Sequence, residues 1–196
     1  MPPVSPAGDS MNLTSPEMIR AVTQKWNGDR DSRGRPLVPD DILERMKLVT
    51  SEEAWGTCKR NGYSFQFAGD WMNLHPERVV VGRAVTCRWV PRRPDVHDSI
   101  DRQGEEDDRV GFQNSWVIDE LETNDLIVVD LFGKVFNGTF AGDNLATAIK
   151  SRSGTGMVID GGIRDTQRIL EMDEFNAFIR GVDPSAILDV SMLDPR

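Results

Sequence analysis

The stretch GDNLATAIKSRSGTGMVIDGGIRD, residues 142–165, decides the fold. It opens with a glycine and an acid, Asp143, and continues through a helix-forming segment to Gly154 and Gly156. It closes in an apolar strand capped by the adjacent pair Arg164-Asp165. Upstream lies a second strand, Leu126-Ile-Val-Val-Asp-Leu131, rich in β-branched residues. Strand, glycine-bearing loop, helix, glycine turn, strand is the order of a right-handed βαβ unit. Residues 126–131 and 156–159 are therefore expected to be neighbouring parallel strands joined by a helix from about Asn144. In such a unit the loops leaving the carboxyl ends of both strands lie side by side, where open α/β sheets bind ligands. The helix start near Asp143 and the Arg164-Asp165 pair should face one crevice, the candidate active site.

A chain of 196 residues is long enough for one well-cored domain with an extended arm. Its 38% hydrophobic and 28% charged content is that of a soluble globular protein. No apolar run approaches the ~20 residues needed to cross a bilayer, and the first twenty residues lack the basic start and apolar core of a signal peptide. A cytoplasmic location follows by default. The formal charge of −9 argues against a general nucleic-acid binder, which needs a basic surface. With only His75 and His97 present, a histidine-rich zinc site is not expected. Carboxylate-and-water chemistry with magnesium or manganese suits the available side chains better. Cys58 and Cys87 form no C-x-x-C pair and read as reduced core residues.

Residues 1–15 are rich in proline and serine and read as disordered or loosely docked. A short helix is expected near Ser15-Pro16-Glu17, with Ser15 as cap and Pro16 at the first helical position. The polar segment 27–39 reads as a linker, so residues 1–39 form an N-terminal arm and 40–196 the α/β domain. Asp40 is expected to cap a helix over 41–49. Thr50 with Glu53 matches a capping box for a helix running to about Arg60. Residues 78–90 read as a strand, 91–109 as a charged, solvated excursion, and 112–121 as a helix. Of the five tryptophans, Trp26, Trp71, Trp89 and Trp116 need burial. Trp89 and Trp116 are expected in the chain's own core, while Trp26 on the arm is expected to pack against a neighbouring subunit.

At the crevice, Gly138 and Gly142 allow close backbone approach to a ligand. Asp143 or Asn144 is a suitable N-cap, and the free amides of the first helical turn make an anion site. Arg164 at a strand's carboxyl end can grip a carboxylate through two parallel hydrogen bonds. Plainer readings exist for each residue: a capped helix after a glycine turn, Asp165 as another N-cap, Arg164 in a surface ion pair, and Asp160 ordering the Gly161-Gly162 turn. Their coincidence at one crevice favours a functional site. Lys150 lies about two turns into the helix, away from its N-terminus, which disfavours Schiff-base chemistry. No glycine-rich cofactor loop follows an N-terminal strand, so a methyltransferase reading finds no support.

The segment 126–165 closely resembles the family of the regulator of ribonuclease E activity A and the class II 4-hydroxy-4-methyl-2-oxoglutarate/4-carboxy-4-hydroxy-2-oxoadipate aldolases. The aldolase members carry an acid, twenty intervening residues and Arg-Asp, and Asp143 with Arg164-Asp165 matches that pattern in full. The turn Gly142-Asp143-Asn144-Leu145 is similar to the family's substrate loop, and residues 50–62 and 80–87 more weakly resemble its opening helix and strand. The resemblance implies an α-β-β-α sandwich of the RraA-like, swivelling-domain type. It implies a metal-dependent lyase, an aldolase or decarboxylase, cleaving a 4-hydroxy-2-oxo acid to pyruvate. Asp165 would hold magnesium or manganese, partly through ordered waters. Arg164 would bind the pyruvyl group and stabilise its enolate. The amides of Gly142 to Leu145 would bind carboxylate, and Asp143 would orient a proton-shuttling water. A homotrimer, or a hexamer of two trimers, is implied too. The alternatives are a non-catalytic regulator binding a protein such as a ribonuclease, and a paralogue acting on another small oxo or sugar acid. Asp165 favours the lyase branch, because the regulators characteristically lack it. Family members continue with further strands and a carboxyl-terminal acidic residue, so the resemblance also implies that this chain lacks that region.

Overall fold

Buried Ile127, Val129 and Leu131 alternate with more accessible Leu126 and Val128, the period-two pattern that makes a strand with one core face. The computed structural model describes residues 15–194, so the expectation for residues 1–14 lies outside the described residues. In chain order the elements are α1 (Pro16–Val22), α2 (Asp40–Met46), α3 (Ser51–Arg60), β1 (Met72–Asn73), β2 (Arg83–Pro91), α4 (Pro94–Glu106) and α5 (Gln113–Asp119). There follow β3 (Asp125–Ala141), α6 (Asp143–Ser153), β4 (Met157–Ile163), α7 (Thr166–Leu170), β5 (Ala177–Ile179), β6 (Gly181–Val182) and β7 (Ser191–Leu193). The fold is α/β. The strands form a mixed sheet in the order β1-β5-β4-β3-β2-β7, with β6 alongside β4.

The expected βαβ unit is present. β3 and β4 are parallel neighbours, with Ile127 opposite Met157 and Val129 opposite Ile159, all of them buried. The intervening α6 ends at Gly154, whose left-handed backbone (φ 71°) terminates the helix, with its amide donating to the Lys150 carbonyl. α5, α6 and α7 bury Val117, Ile118, Ala146, Ile149 and Ile169 in the same cluster as those strand residues. Trp89 and Trp116 are buried as expected, and both cysteines are free thiols. Among the described residues no helix is long and apolar enough to cross a membrane.

Several boundaries differ from expectation, each for a physical reason. Asp40 does not cap the following helix. Its carboxylate is taken by Asn124 Nδ2 at 2.9 Å and Arg83 Nη1 at 3.3 Å, so α2 starts at Asp40 itself behind Pro39. The 78–90 strand begins only at Arg83, because Arg78 is turned away to donate to the Met172 and Phe175 carbonyls. Residues 91–109 are not a solvated excursion: α4 buries His97, Ile100 and Gly104, spaced as one helical face. β3 runs ten residues beyond 131, through register shifts after Asp130, Lys134 and Thr139 with positive φ at Phe132, Gly133 and Asn137. These irregularities return Thr139 and Ala141 to β4, opposite Gly162 and Ile163. The Ser15 cap of α1 and the Thr50–Glu53 capping box of α3 form as the sequence indicates.

Candidate active site

The carboxyl ends of β3 and β4 are stitched together where the chain leaves them. Ala141 is in register with Ile163, and the Arg164 amide donates to the Ala141 carbonyl at 3.0 Å. One step on, Gly142 faces Arg164 and Asp165. A β-carbon added at Gly142 would lie 2.2 Å from Asp165 Oδ2 and 3.0 Å from Arg164 Nε, so any larger residue would force those side chains to shift. The crevice inferred from strand order is thus a real juxtaposition.

The N-cap of α6 is Gly142, rather than Asp143 or Asn144. Asp143 occupies the first helical position and its Oδ1 accepts from the Asn144 amide at 2.9 Å. That amide is already engaged, whereas the amides of Asp143 and Leu145 belong to the set that a helix start leaves without intrahelical partners. Asp143 Oδ2 lies 3.4 Å from Arg168 Nη1, an ion pair across the crevice between α6 and α7. Asn144 is exposed, and Leu145 packs partly against the core.

Arg164 is partly buried and held at two points. Its Nε is 3.5 Å from Asp165 Oδ2, and its Nη1 is 3.4 Å from Thr139 Oγ1. Asp165 sits at the N-cap position of α7 but makes no side-chain cap bond, and its backbone is left-handed (φ 56°, ψ 33°). Its carboxylate is thereby free to face the crevice, at the expense of a backbone conformation few non-glycine residues adopt. Asp160 does not order the glycine turn. It pairs with Arg180 Nε at 2.6 Å, and that guanidinium lies over the Trp71 ring at 3.8 Å.

Two crevice residues were not anticipated. Arg168 follows Asp165 by three positions, one helical turn, so a periodicity argument starting from Asp165 would have found it. Thr139 is fully buried and reaches Arg164 only because the β3 irregularities bring it there, which no spacing rule reveals. Two clefts of about 900 and 750 Å3 lie elsewhere, and neither is lined by Gly142, Arg164 or Asp165.

Among the described residues no group of three or more His, Cys, Asp or Glu side chains forms a metal cage. The crevice offers only the carboxylates of Asp165 and Asp143. One or two carboxylates with water and substrate oxygens completing the shell is the usual mode for magnesium and is open to manganese. The oxygen-only donors therefore fit a hydrated hard cation and not a zinc centre.

A family model described as "RraA-like: Aldolase/RraA" matches residues 53–191, which include the whole crevice. Similar solved structures include Streptomyces coelicolor RraAS2, described as an unusual member of the RNase ES inhibitor RraA protein family. It is 24% identical with a TM-score of 0.61, over 81% of this chain and 68% of that one. A structure described among novel cellulases from microbes associated with the gut ecosystem is 20% identical, with a TM-score of 0.65 over 90% and 73%. An uncharacterized protein from Pseudomonas syringae pv. tomato str. DC3000 is 19% identical, with a TM-score of 0.57 over 80% and 66%. At these identities the likeness is one of fold. No curated protein matches the chain.

Proposed function

The chain belongs to the RraA-like family, and we propose that it acts as a divalent-metal-dependent lyase, cleaving a 4-hydroxy-2-oxo acid to pyruvate in the cytoplasm. The observation that carries this reading is the contact of Gly142 with Arg164 and Asp165. It sets a guanidinium, a carboxylate and a helix start around one point.

Breaking the C3–C4 bond beside a ketone leaves an electron pair on C3, delocalised as an enolate, so positive charge must be preorganised at that oxygen. Magnesium or manganese held by Asp165, partly through waters, would supply a Lewis acid there. Arg164 grips the pyruvyl carboxylate or keto oxygen and opposes the developing negative charge. The Asp143 and Leu145 amides at the start of α6 take the remaining carboxylate oxygen. Asp143 orients a water that accepts the 4-hydroxyl proton as C4 becomes a carbonyl. The same water returns a proton to C3, giving pyruvate. Lys150 stands in the last turn of α6, far from Gly142, and takes no part.

The test is pyruvate release from a panel of 4-hydroxy-2-oxo acids. Activity should vanish with chelator and return with magnesium or manganese. Asp165→Asn retains a residue type that tolerates a left-handed backbone, so it should stay folded while turnover falls by about a hundredfold or more. Full chelator-resistant turnover would reject the metal role. No pyruvate from any member of the panel would favour the non-catalytic regulator. The reading includes a homotrimer or hexamer with sites near subunit boundaries, and light scattering at micromolar concentration checks it. A monomer with full turnover would remove the shared-site part.

A further inference from the structure

We propose that Thr139 is a positioning residue that sets the orientation of Arg164, an inference that rests on the lyase reading above. Thr139 has no exposed surface, which is unusual for a polar side chain. Its hydroxyl donates its proton to the Ser185 carbonyl. A hydroxyl has one proton and two lone pairs, so what it shows to any second neighbour is an acceptor. The second neighbour is Arg164 Nη1 at 3.4 Å, a group that can only donate. The polarity of the pair is settled by Ser185.

The Thr139 side chain has little freedom to turn away. Its methyl lies against Gly162 on β4, where an added β-carbon would meet Thr139 Cγ2 at 3.3 Å. The carbonyl it serves is pinned as well. The Asp183 amide donates to the Ile163 carbonyl at 3.1 Å, and the Ser185 amide donates to Asp183 Oδ1 at 2.9 Å. The 183–185 turn thus fixes Thr139, and Thr139 fixes one arm of the guanidinium while Asp165 holds Nε. With Nε and one Nη1–H engaged, the plane of the guanidinium is fixed, and with it the direction of its remaining donors. That matters because catalytic groups displaced by about 1 Å can lose a hundredfold in rate.

The experiment compares Thr139→Val, isosteric but without a hydroxyl, with Thr139→Ser, which retains it. Thr139→Val should lower kcat/KM by about tenfold to a hundredfold, the range expected for losing a hydrogen bond to a charged group. Thr139→Ser should recover most of that loss. In an Arg164→Lys background, Thr139→Val should cost nothing further, whereas a purely structural role would cost the same in both backgrounds. Independently of turnover, NMR of the arginine side chains should show the Arg164 signals shifted in Thr139→Val and restored in Thr139→Ser. Unchanged Arg164 signals, or an equal loss in the Arg164→Lys background, overturns the inference. Absence of pyruvate from the wild-type protein overturns the lyase reading instead, and the NMR comparison still decides the role of Thr139.

Discussion

Asp165 combines a left-handed backbone with a carboxylate that caps nothing in α7. Gly142 is its counterpart. Gly142→Ala should displace Asp165 and Arg164 together and abolish turnover, while circular dichroism shows the helices intact. Asp183 carries a titration signature: hydrogen bonds from the Ser185 hydroxyl and amide, then the Asn137 amide and the nearby Lys134, hold its carboxyl below the ordinary range. A depressed native pKa contributes stability that is present above the unfolded value of about 3.9 and is lost as pH falls through the native value. The urea midpoints of wild type and Asp183→Asn should therefore differ at neutral pH and converge below about pH 4. Cys87 is half-buried, and burial pushes its thiol up to about 12. A thiol reagent at pH 8 should modify Cys58 on α3 faster than Cys87, and unfolding should remove the difference.

At the scale of elements, α4 separates charge pattern from structure. Its sequence is dominated by acids, yet His97, Ile100 and Gly104 form a buried face and His97 stacks on Phe112 at 5.8 Å. Gly104 is the point of closest approach: an added β-carbon would lie 2.3 Å from the Trp116 ring. Gly104→Ala should force Trp116 aside and destabilise by about 1–3 kcal/mol, the usual range for overpacking. Chemical denaturation followed by tryptophan fluorescence would report it. β3 shows the converse case. Its first half is legible from alternation alone, whereas its second half depends on register shifts that carry no period-two pattern.

For the whole molecule, the arm is tied to the sheet by one buried ion group. Asp125 is fully buried, with Arg35 bidentate at 2.7 and 3.1 Å and Arg83 at 3.5 Å. Arg35→Met removes the bidentate partner of a buried charge. It should destabilise by about 3 kcal/mol, the lower end for such losses because Arg83 remains. Limited proteolysis should then cut first within residues 23–38. What the sequence determined by itself was whatever depends on near neighbours along the chain. The alternation of 126–131, the glycine stop at 154, the Thr50–Glu53 capping box and the order strand-helix-strand all follow from local sterics and hydrogen bonding. From that order it follows that residues near 143 and 164 leave the sheet on one side. Only the tertiary structure decided which groups touch there. Asp40 lost its role as a cap to Arg83 and Asn124, and the charged 91–109 segment became a helix with one buried face because Trp116 offered it a surface. Thr139 reached Arg164 through β3 irregularities compensated by pairing with Gly162. Such choices turn on competition between partners 25 to 84 residues apart, and no local pattern encodes which partner wins.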